Sequence, residues 1–203
     1  MKRWWPLVAL ATAQFVMVLD QSVMNVSIST LVKDFDTTVP TIQAVITFYS
    51  LVMAMFMLTG AKIGDIIGRR RAFVIGLIIY GCGSALTAVA QTVPVLTLGW
   101  SVLEGLGASL VLPAMAALIA GNFEGAERKV AYAVLGGVAG AGIAVGPILG
   151  GWATTEREQA QLGSLKSGLL AAALLALISL ATTRDLPHDR LSEAEDSPRT
   201  GTA

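Results

Sequence analysis

Long apolar runs, separated by short polar breaks, constrain this chain more than any other feature of its sequence. A run of about twenty apolar residues crosses the hydrocarbon core of a bilayer as one α-helix. Of the 203 residues, 54% are hydrophobic and 14% are charged, whereas soluble domains carry about 25% charged residues. A soluble fold of this length has no core that could bury so many runs. The sequence therefore predicts an all-α integral membrane protein.

Six transmembrane helices are predicted, and they form one domain over residues 1–183. The predicted spans are residues 4–28, 42–60, 72–90, 95–120, 130–152 and 167–183. The polar tail 184–203 lacks apolar periodicity and is predicted to be disordered. A signal peptide is not favoured, because the first run is too long and contains Asp20. The one cysteine, Cys82, lies in an apolar span and is predicted to be a small buried side chain.

Lysine and arginine positions predict how the helices are oriented. One side of the bundle would hold Lys2, Arg3, Lys62, Arg69, Arg70, Arg71, Arg128, Lys129, Arg184, Arg190 and Arg199. The other side would hold only Lys33, Arg157 and Lys166. The positive-inside rule then puts both termini in the cytoplasm. The expected location is the cell (plasma) membrane, with several passes through it.

Two carboxyl groups, Asp20 and Glu104, fall inside predicted spans, where a charge costs about 2.5–3.5 kcal/mol on insertion scales. At 1.5 Å per residue, Asp20 lies roughly 20 Å outward from Leu7, and Glu104 roughly 14 Å inward from Val95. In a core about 30 Å thick, both lie between the midplane and the outer face. We therefore expect Asp20 and Glu104 to share one site.

A polar stripe follows the first helix beside Asp20. Gln14, Gln21 and Asn25 point in one direction at about 100° per residue, so this side should face protein or water. Hydrogen bonds that only hold the helices together are an alternative role for these groups. A buried carboxyl group favours its neutral form, and a nearby cation favours the ionised form, so a proton and a cation can compete for one site.

The loop "GAKIGDIIGRRRAF", residues 60–73, is the most specific stretch of the sequence. Its predicted cytoplasmic signature residues are Gly60, Gly64, Asp65, Gly68, Arg69 and Arg70. Glycines allow close helix approach and a tight reversal, and Asp65 can pair with Arg69 four residues later. The loop resembles the one between the second and third helices of the major facilitator superfamily. An ordinary basic loop is the alternative.

Two further stretches resemble one branch of that superfamily, the fourteen-helix drug/proton antiporters. "VLDQSVMNVSI", residues 18–28, is similar to the branch's first-helix pattern, and "GGVAGAGIAVGPILGGW", residues 136–152, to its fifth-helix motif. The resemblance implies that the first and fourth helices line a substrate cavity. It also implies that the fifth-helix segment limits leak through that cavity.

The fifth-helix motif combines glycines with a proline, which suits helix contact inside a membrane. The predicted pivot residues are Gly142, Gly146, Pro147, Gly150 and Gly151. Gly136 and Gly140 give a second row with the same spacing of four. Pro147 leaves the carbonyl of Ile143 without its usual donor, so the helix should bend there, and a neighbouring helix can supply the missing donor. Close packing without a moving part is the alternative.

The chain departs from the family pattern in two respects. In the fourth helix, Ser101 and Glu104 occupy the positions of a usual arginine and glutamine. Family members have twelve or fourteen helices, whereas this chain resembles one half. Because residues 169–187 resemble a final helix and its exit, one hypothesis is an internal deletion that joins five helices to the last one.

The predicted function is proton-coupled efflux of drugs or small organic cations. Asp20, Glu104, Gln21 and Asn25 would form the proton and substrate site. The alternatives are a truncated remnant or assembly partner that transports nothing, and uptake of sugars or organic acids. The expected partners are a small-molecule substrate, protons and the lipid bilayer, with a homodimer or a second transporter half to complete the bundle. No enzyme activity, cofactor, metal site or nucleic-acid binding is expected.

Overall fold

The structure, a computed structural model, describes residues 4–155. They form seven α-helices and one π-helical segment, with no strand among them. In chain order these are α1 (Trp5–Val26), α2 (Ile28–Asp34), α3 (Val39–Ile67), α4 (Arg69–Ala88), α5 (Val93–Leu96), the π-helical segment (Thr97–Glu104), α6 (Gly105–Asn122) and α7 (Gly125–Thr155). The predicted all-α class is confirmed. The predicted span 167–183 and tail 184–203 lie outside the described residues.

Five stretches of the described chain are long and apolar enough to cross a bilayer. They are Pro6–Val26, Val39–Ile67, Arg69–Ala88, Val93–Asn122 and Gly125–Ile148. Each overlaps one of the first five predicted spans. Their outer surfaces carry large apolar side chains, such as Leu58 at 83% exposed and Ile66 at 72% exposed. A bundle surrounded by lipid tolerates such side chains on its surface, because the acyl chains are as apolar as leucine.

Cys82 corrects one expectation, because its side chain is exposed on α4 rather than buried. Its neighbours in the sequence are apolar because the bilayer favours apolar residues on the outside of the bundle as well as on the inside. Hydropathy therefore predicted the span correctly but not the face of the helix on which Cys82 lies.

Prolines and glycines mark the helix boundaries. Pro6, Pro40 and Pro94 lie in the first turns of α1, α3 and α5, where the missing backbone N–H costs nothing. Gly68 separates α3 from α4 with φ at 93°, a left-handed conformation that favours glycine. This reversal is the one that the glycines of the signature loop predicted.

The first predicted span is divided in two at Ser27. Helix α1 ends at Val26, and the Ser27 N–H donates to the Val23 carbonyl at 2.9 Å. The chain then turns and continues as the short helix α2, whose Leu31 N–H donates back to the Ser27 carbonyl at 2.9 Å. The helical path therefore extends beyond the predicted end at residue 28.

Two groups of helices make up the bundle. Helix α1 packs mainly against α7, while α4 packs against α6 and the π-helical segment, and α3 packs against α6. Glycines allow the closest of these contacts, since a methyl group on Gly107 would lie 2.7 Å from the backbone nitrogen of Tyr80. A methyl group on Gly60 would collide with the carbonyl of Ser109. These contacts set α3 and α4 close against α6, which is part of the buried fourth span Val93–Asn122.

Candidate functional site

Asp20, in α1, accepts two hydrogen bonds on one oxygen from side chains of other spans. The Tyr80 hydroxyl donates to Asp20 Oδ2 at 2.8 Å, and the Trp100 indole Nε1 donates to the same oxygen at 3.0 Å. Tyr80 belongs to α4 and Trp100 to the π-helical segment. Two such donors replace the hydration that a carboxylate loses when it is removed from bulk water.

Glu104 is the last residue of the π-helical segment, and its side chain is 0% exposed. The Thr87 hydroxyl donates to Glu104 Oε1 at 3.4 Å. Glu104 Oε2 is buried and has no hydrogen-bond donor in the described part of the chain. Asp20 and Tyr80 both lie within electrostatic and hydrogen-bonding range of the Glu104 side chain. The structure thus places near each other the two carboxyl groups whose similar predicted depth in the membrane suggested a shared site.

Trp100 and Glu104 both approach Asp20 from the π-helical segment. A π-helix adds a residue to each turn and is frequent at functional sites. Its neighbour α4 approaches through glycines, because a methyl group on Gly83 would lie 2.7 Å from Glu104 Cγ. Likewise, a methyl group on Gly99 would lie 2.8 Å from Thr87 Oγ1. The small residues therefore let Glu104 sit directly against α4.

Three aromatic side chains surround the carboxyl pair, and sequence reasoning missed all of them. Trp100 stacks on Tyr49 with ring centroids 4.7 Å apart and an interplanar angle of 27°. Tyr49, Tyr80 and Trp100 are each at most 3% exposed. A buried tyrosine or tryptophan needs a hydrogen-bond partner for its polar group. The two carboxyl groups inside the membrane are such partners, so the tyrosines and tryptophan of the spans could have been predicted to contact them.

Ser101, which occupies the usual arginine position, is buried against α3. Its hydroxyl donates to the carbonyl of Val45 at 2.8 Å, and the residue is 0% exposed. The serine therefore fastens the π-helical segment to α3. It makes no hydrogen bond to Asp20 or Glu104.

The two predicted amides lie beside the carboxyl pair with different environments. Gln21 is half-buried, and its side chain lies within hydrogen-bonding range of Tyr49. Asn25 is exposed, and its Nδ2 donates to the backbone carbonyl of Gln21 at 2.8 Å. Gln21 thus belongs to the aromatic surroundings of the site, whereas Asn25 folds back on its own helix.

The signature loop joins α3 to α4 and is held by Arg69. Arg69 Nη2 lies 3.8 Å from Asp65 Oδ1, and Arg69 Nη1 donates to the carbonyl of Ala117 at 3.4 Å. The expected Asp65–Arg69 pair is therefore present, with Asp65 in the last turn of α3 rather than at the start of a helix. Gly64 makes only ordinary contact, since a methyl group there would lie 3.6 Å from the Ala72 methyl carbon.

The pivot residues lie in α7, where one of the two glycine rows contacts α1. A methyl group on Gly142 would lie 3.1 Å from Val18 Cγ1, and one on Gly146 would collide with the side chain of Ser22. Nothing in the described part of the chain lies within 4 Å of a methyl group on Gly136 or Gly140. Gly150 and Gly151 continue the same helix towards its end at Thr155. Among the described residues, the row beginning at Gly142 is thus the one that forms a helix contact.

Pro147 leaves the Ile143 carbonyl free, and α1 supplies the donor that it lacks. The Ser22 hydroxyl donates to that carbonyl at 3.2 Å. Because a lipid environment offers no water for an unpaired carbonyl, this bond allows a proline inside the spanning helix. Ser22 was not among the predicted site residues.

Comparison with known families and proteins gives one consistent result. Residues 10–201 match the model of the Major Facilitator Superfamily. The puromycin resistance protein pur8 of Streptomyces alboniger is 36% identical over 190 residues, which cover 93% of this chain and 36% of the relative. The multidrug efflux pump LfrA of Mycolicibacterium smegmatis is 31% identical over 151 residues, which cover 74% of this chain and 30% of the relative. The chain therefore spans about a third of the length of these relatives.

A crystal structure of a mutant of the peptide transporter POT in complex with sulfate has the same fold. The TM-score is 0.71 at 15% sequence identity, over 93% of this chain and 42% of that one. At this level of identity the likeness concerns the fold alone. The three similar proteins named here are thus a resistance protein, a multidrug efflux pump and a peptide transporter, which indicates a transporter family rather than a family of enzymes.

Proposed function

The chain belongs to the Major Facilitator Superfamily, and from this we propose that it forms part of a transporter that exports drugs or small organic cations in exchange for protons. Membership in this family establishes a multi-pass membrane protein. The exchange chemistry is our proposal. One observation carries it: the Asp20 and Glu104 carboxyl groups lie together inside the bundle, enclosed by aromatic side chains.

The chemistry of the pair suits competition between a proton and an organic cation. Removing a carboxyl group from water favours its neutral form, and a neighbouring cation favours the ionised form. The rings of Tyr49, Tyr80 and Trp100 can also stabilise an organic cation through their π-faces. Gln21 and Asn25 would line the path to this site. The predicted membrane orientation, with both termini in the cytoplasm, would make the signature loop cytoplasmic.

Alternating access requires two bundles that rock around a common site. We propose that a second copy of this chain or a separate transporter half completes the bundle, with the Gly142–Pro147 region of α7 acting as a pivot. A chain that inserts but transports nothing is the second candidate.

Transport by purified protein in liposomes tests the proposal. Lipophilic cations are added across a proton gradient while an internal dye reports pH. The wild type should show proton movement when the cation is added, and Asp20→Asn and Glu104→Gln should each abolish it. Asp34→Asn is the matched control, because Asp34 is an exposed carboxylate in α2, and it should behave as the wild type.

Two results would argue against proton-coupled export. Absence of proton movement in correctly inserted wild-type protein would favour the non-transporting candidate. Equal proton movement in the wild type and in both variants would show that the carboxyl pair takes no part in the exchange. The oligomer size in mild detergent, measured on the same preparation, separates a self-assembled transporter from a monomer that needs another subunit.

A further inference from the structure

The two carboxyl groups of the site have different hydrogen-bond environments. Asp20 Oδ2 accepts from the Tyr80 hydroxyl and from the Trp100 indole. An indole N–H is only ever a donor, so Asp20 Oδ2 is the acceptor in this bond. Donors of this kind stabilise an ionised carboxylate more than a neutral acid. Side chains from two other spans thus hold Asp20 Oδ2 as a hydrogen-bond acceptor.

Glu104 has the opposite surroundings. Its Oε1 accepts one long hydrogen bond of 3.4 Å from Thr87, and its Oε2 is buried without a donor in the described part of the chain. A bare carboxylate oxygen in such a place loses its hydration without compensation. A proton on Glu104 would instead remove the charge, and the neighbouring Asp20 side chain offers an acceptor for it.

The titratable groups that face Glu104 in the described part of the chain could not offset a negative charge on Glu104 in addition to one on Asp20. The titratable side chains facing it from the described helices are Asp20 on α1, Tyr49 on α3 and Tyr80 on α4. None of the three is a cation. Two adjacent carboxyl groups in such a site hold one proton between them, because like charges at short range cannot both be ionised.

We propose that Glu104 carries the proton of this pair and that Asp20 is the ionised partner to which an organic cation binds. The part that concerns the cation rests on the proposed export function. A cation at Asp20 places positive charge beside Glu104 and favours its ionised form. The O–H bond of Glu104 then breaks, and the proton passes to water. Binding and proton release are coupled in both directions, since linkage is reciprocal.

Infrared spectroscopy of the purified full chain at neutral pH, without any added ligand, tests where the proton lies. Exposed carboxyl groups are ionised at this pH, so a carbonyl stretching band of a protonated acid reports a buried one. The band should be present in the wild type and in Asp20→Asn, where burial alone keeps Glu104 neutral. It should be lost in Glu104→Gln. Thr87→Val should shift the band, because Thr87 donates to Glu104 Oε1.

The same variants test the coupling when tetraphenylphosphonium is added in weakly buffered solution. The wild type should bind the cation and release protons, Glu104→Gln should bind it without proton release, and Asp20→Asn should not bind it. Asp34→Asn should match the wild type in both measurements, and circular dichroism checks that each variant is folded.

The outcomes separate the two proposals. A band that persists in Glu104→Gln and is lost in Asp20→Asn would overturn the assignment, as would a wild type without the band. A band that follows Glu104 in protein that binds no cation would leave the proton assignment standing and would count against organic-cation export.

Discussion

Ser22 and Ile143 join α1 to α7 through a hydrogen bond of 3.2 Å from the Ser22 hydroxyl to the Ile143 carbonyl. This carbonyl is the one that Pro147, four residues later, leaves without a donor. The bond therefore lies at the point where the glycine row of α7 touches α1. Ser22 therefore takes part both in the contact between the two helices and in satisfying the carbonyl freed by Pro147.

Ser22→Ala should lower the free energy of unfolding by about 0.5–1.5 kcal/mol, the usual net value of one hydrogen bond. In a Pro147→Ala background the loss should be smaller, because residue 147 then has a backbone N–H for the Ile143 carbonyl. Unfolding curves in detergent for the two single variants and the double variant measure this coupling. Strict additivity of the two substitutions would contradict the role given to Ser22.

Tyr80→Phe should destabilise the protein by about 1.5–3 kcal/mol, because the lost bond is donated to a carboxylate. In an Asp20→Asn background the same substitution should cost only about 0.5–1.5 kcal/mol, the value for a neutral pair. Thermal or denaturant unfolding of the four proteins in this cycle gives the difference. An equal cost in both backgrounds would mean that the charge of Asp20 does not strengthen the bond.

Gly83→Ala should destabilise the bundle by about 1–3 kcal/mol, the usual cost of overpacking a core. The added methyl group would lie 2.7 Å from Glu104 Cγ and 2.7 Å from the Gly99 carbonyl oxygen. Gly81→Ala is the matched control on the same helix, because nothing lies within 4 Å of a methyl group there. That control should be neutral or stabilising in the same unfolding assay, since alanine favours helices over glycine.

Ser101→Arg should impair folding. The residue is 0% exposed and its hydroxyl is bonded to the Val45 carbonyl, so an arginine would place an unpaired charge against α3. Ser101→Ala is the milder comparison, with an expected loss of about 0.5–1.5 kcal/mol. The yield of monodisperse protein after detergent extraction, with unfolding curves where protein is obtained, checks both. Well-folded Ser101→Arg with unchanged stability would show that the position has room for a cation.

Removing Arg69 should cost more stability than removing Asp65. The Asp65–Arg69 contact is long at 3.8 Å, and Asp65 is 57% exposed, so Asp65→Ala should have an effect of at most about 1 kcal/mol. Arg69→Ala additionally loses the hydrogen bond to the Ala117 carbonyl at 3.4 Å, which fastens α4 to α6. Thermal unfolding of both variants compares them directly, and a larger loss for Asp65→Ala would refute this order.

Local sequence determined the spanning helices, because a bilayer requires about twenty apolar residues wherever a helix crosses it. It also determined the reversal at Gly68, which depends on the conformational freedom of a single residue. The common level of Asp20 and Glu104 in the membrane followed from depth, since helices that start at opposite faces place residues at calculable levels. Each of these features depends on a single helix or turn and its solvent, so each can be predicted from the local sequence.

Only the tertiary structure decided which side chains meet across helices. The donors Tyr80 and Trp100, the bond from Ser22 and the burial of Ser101 all depend on rotation and packing between spans. The π-helical segment changes the helical period over Thr97–Glu104, so a regular period of 3.6 residues no longer predicts which residues there share a face. Lipid is as apolar as a protein interior, and therefore hydropathy cannot distinguish the buried Gly142 face of α7 from its exposed Gly136 face.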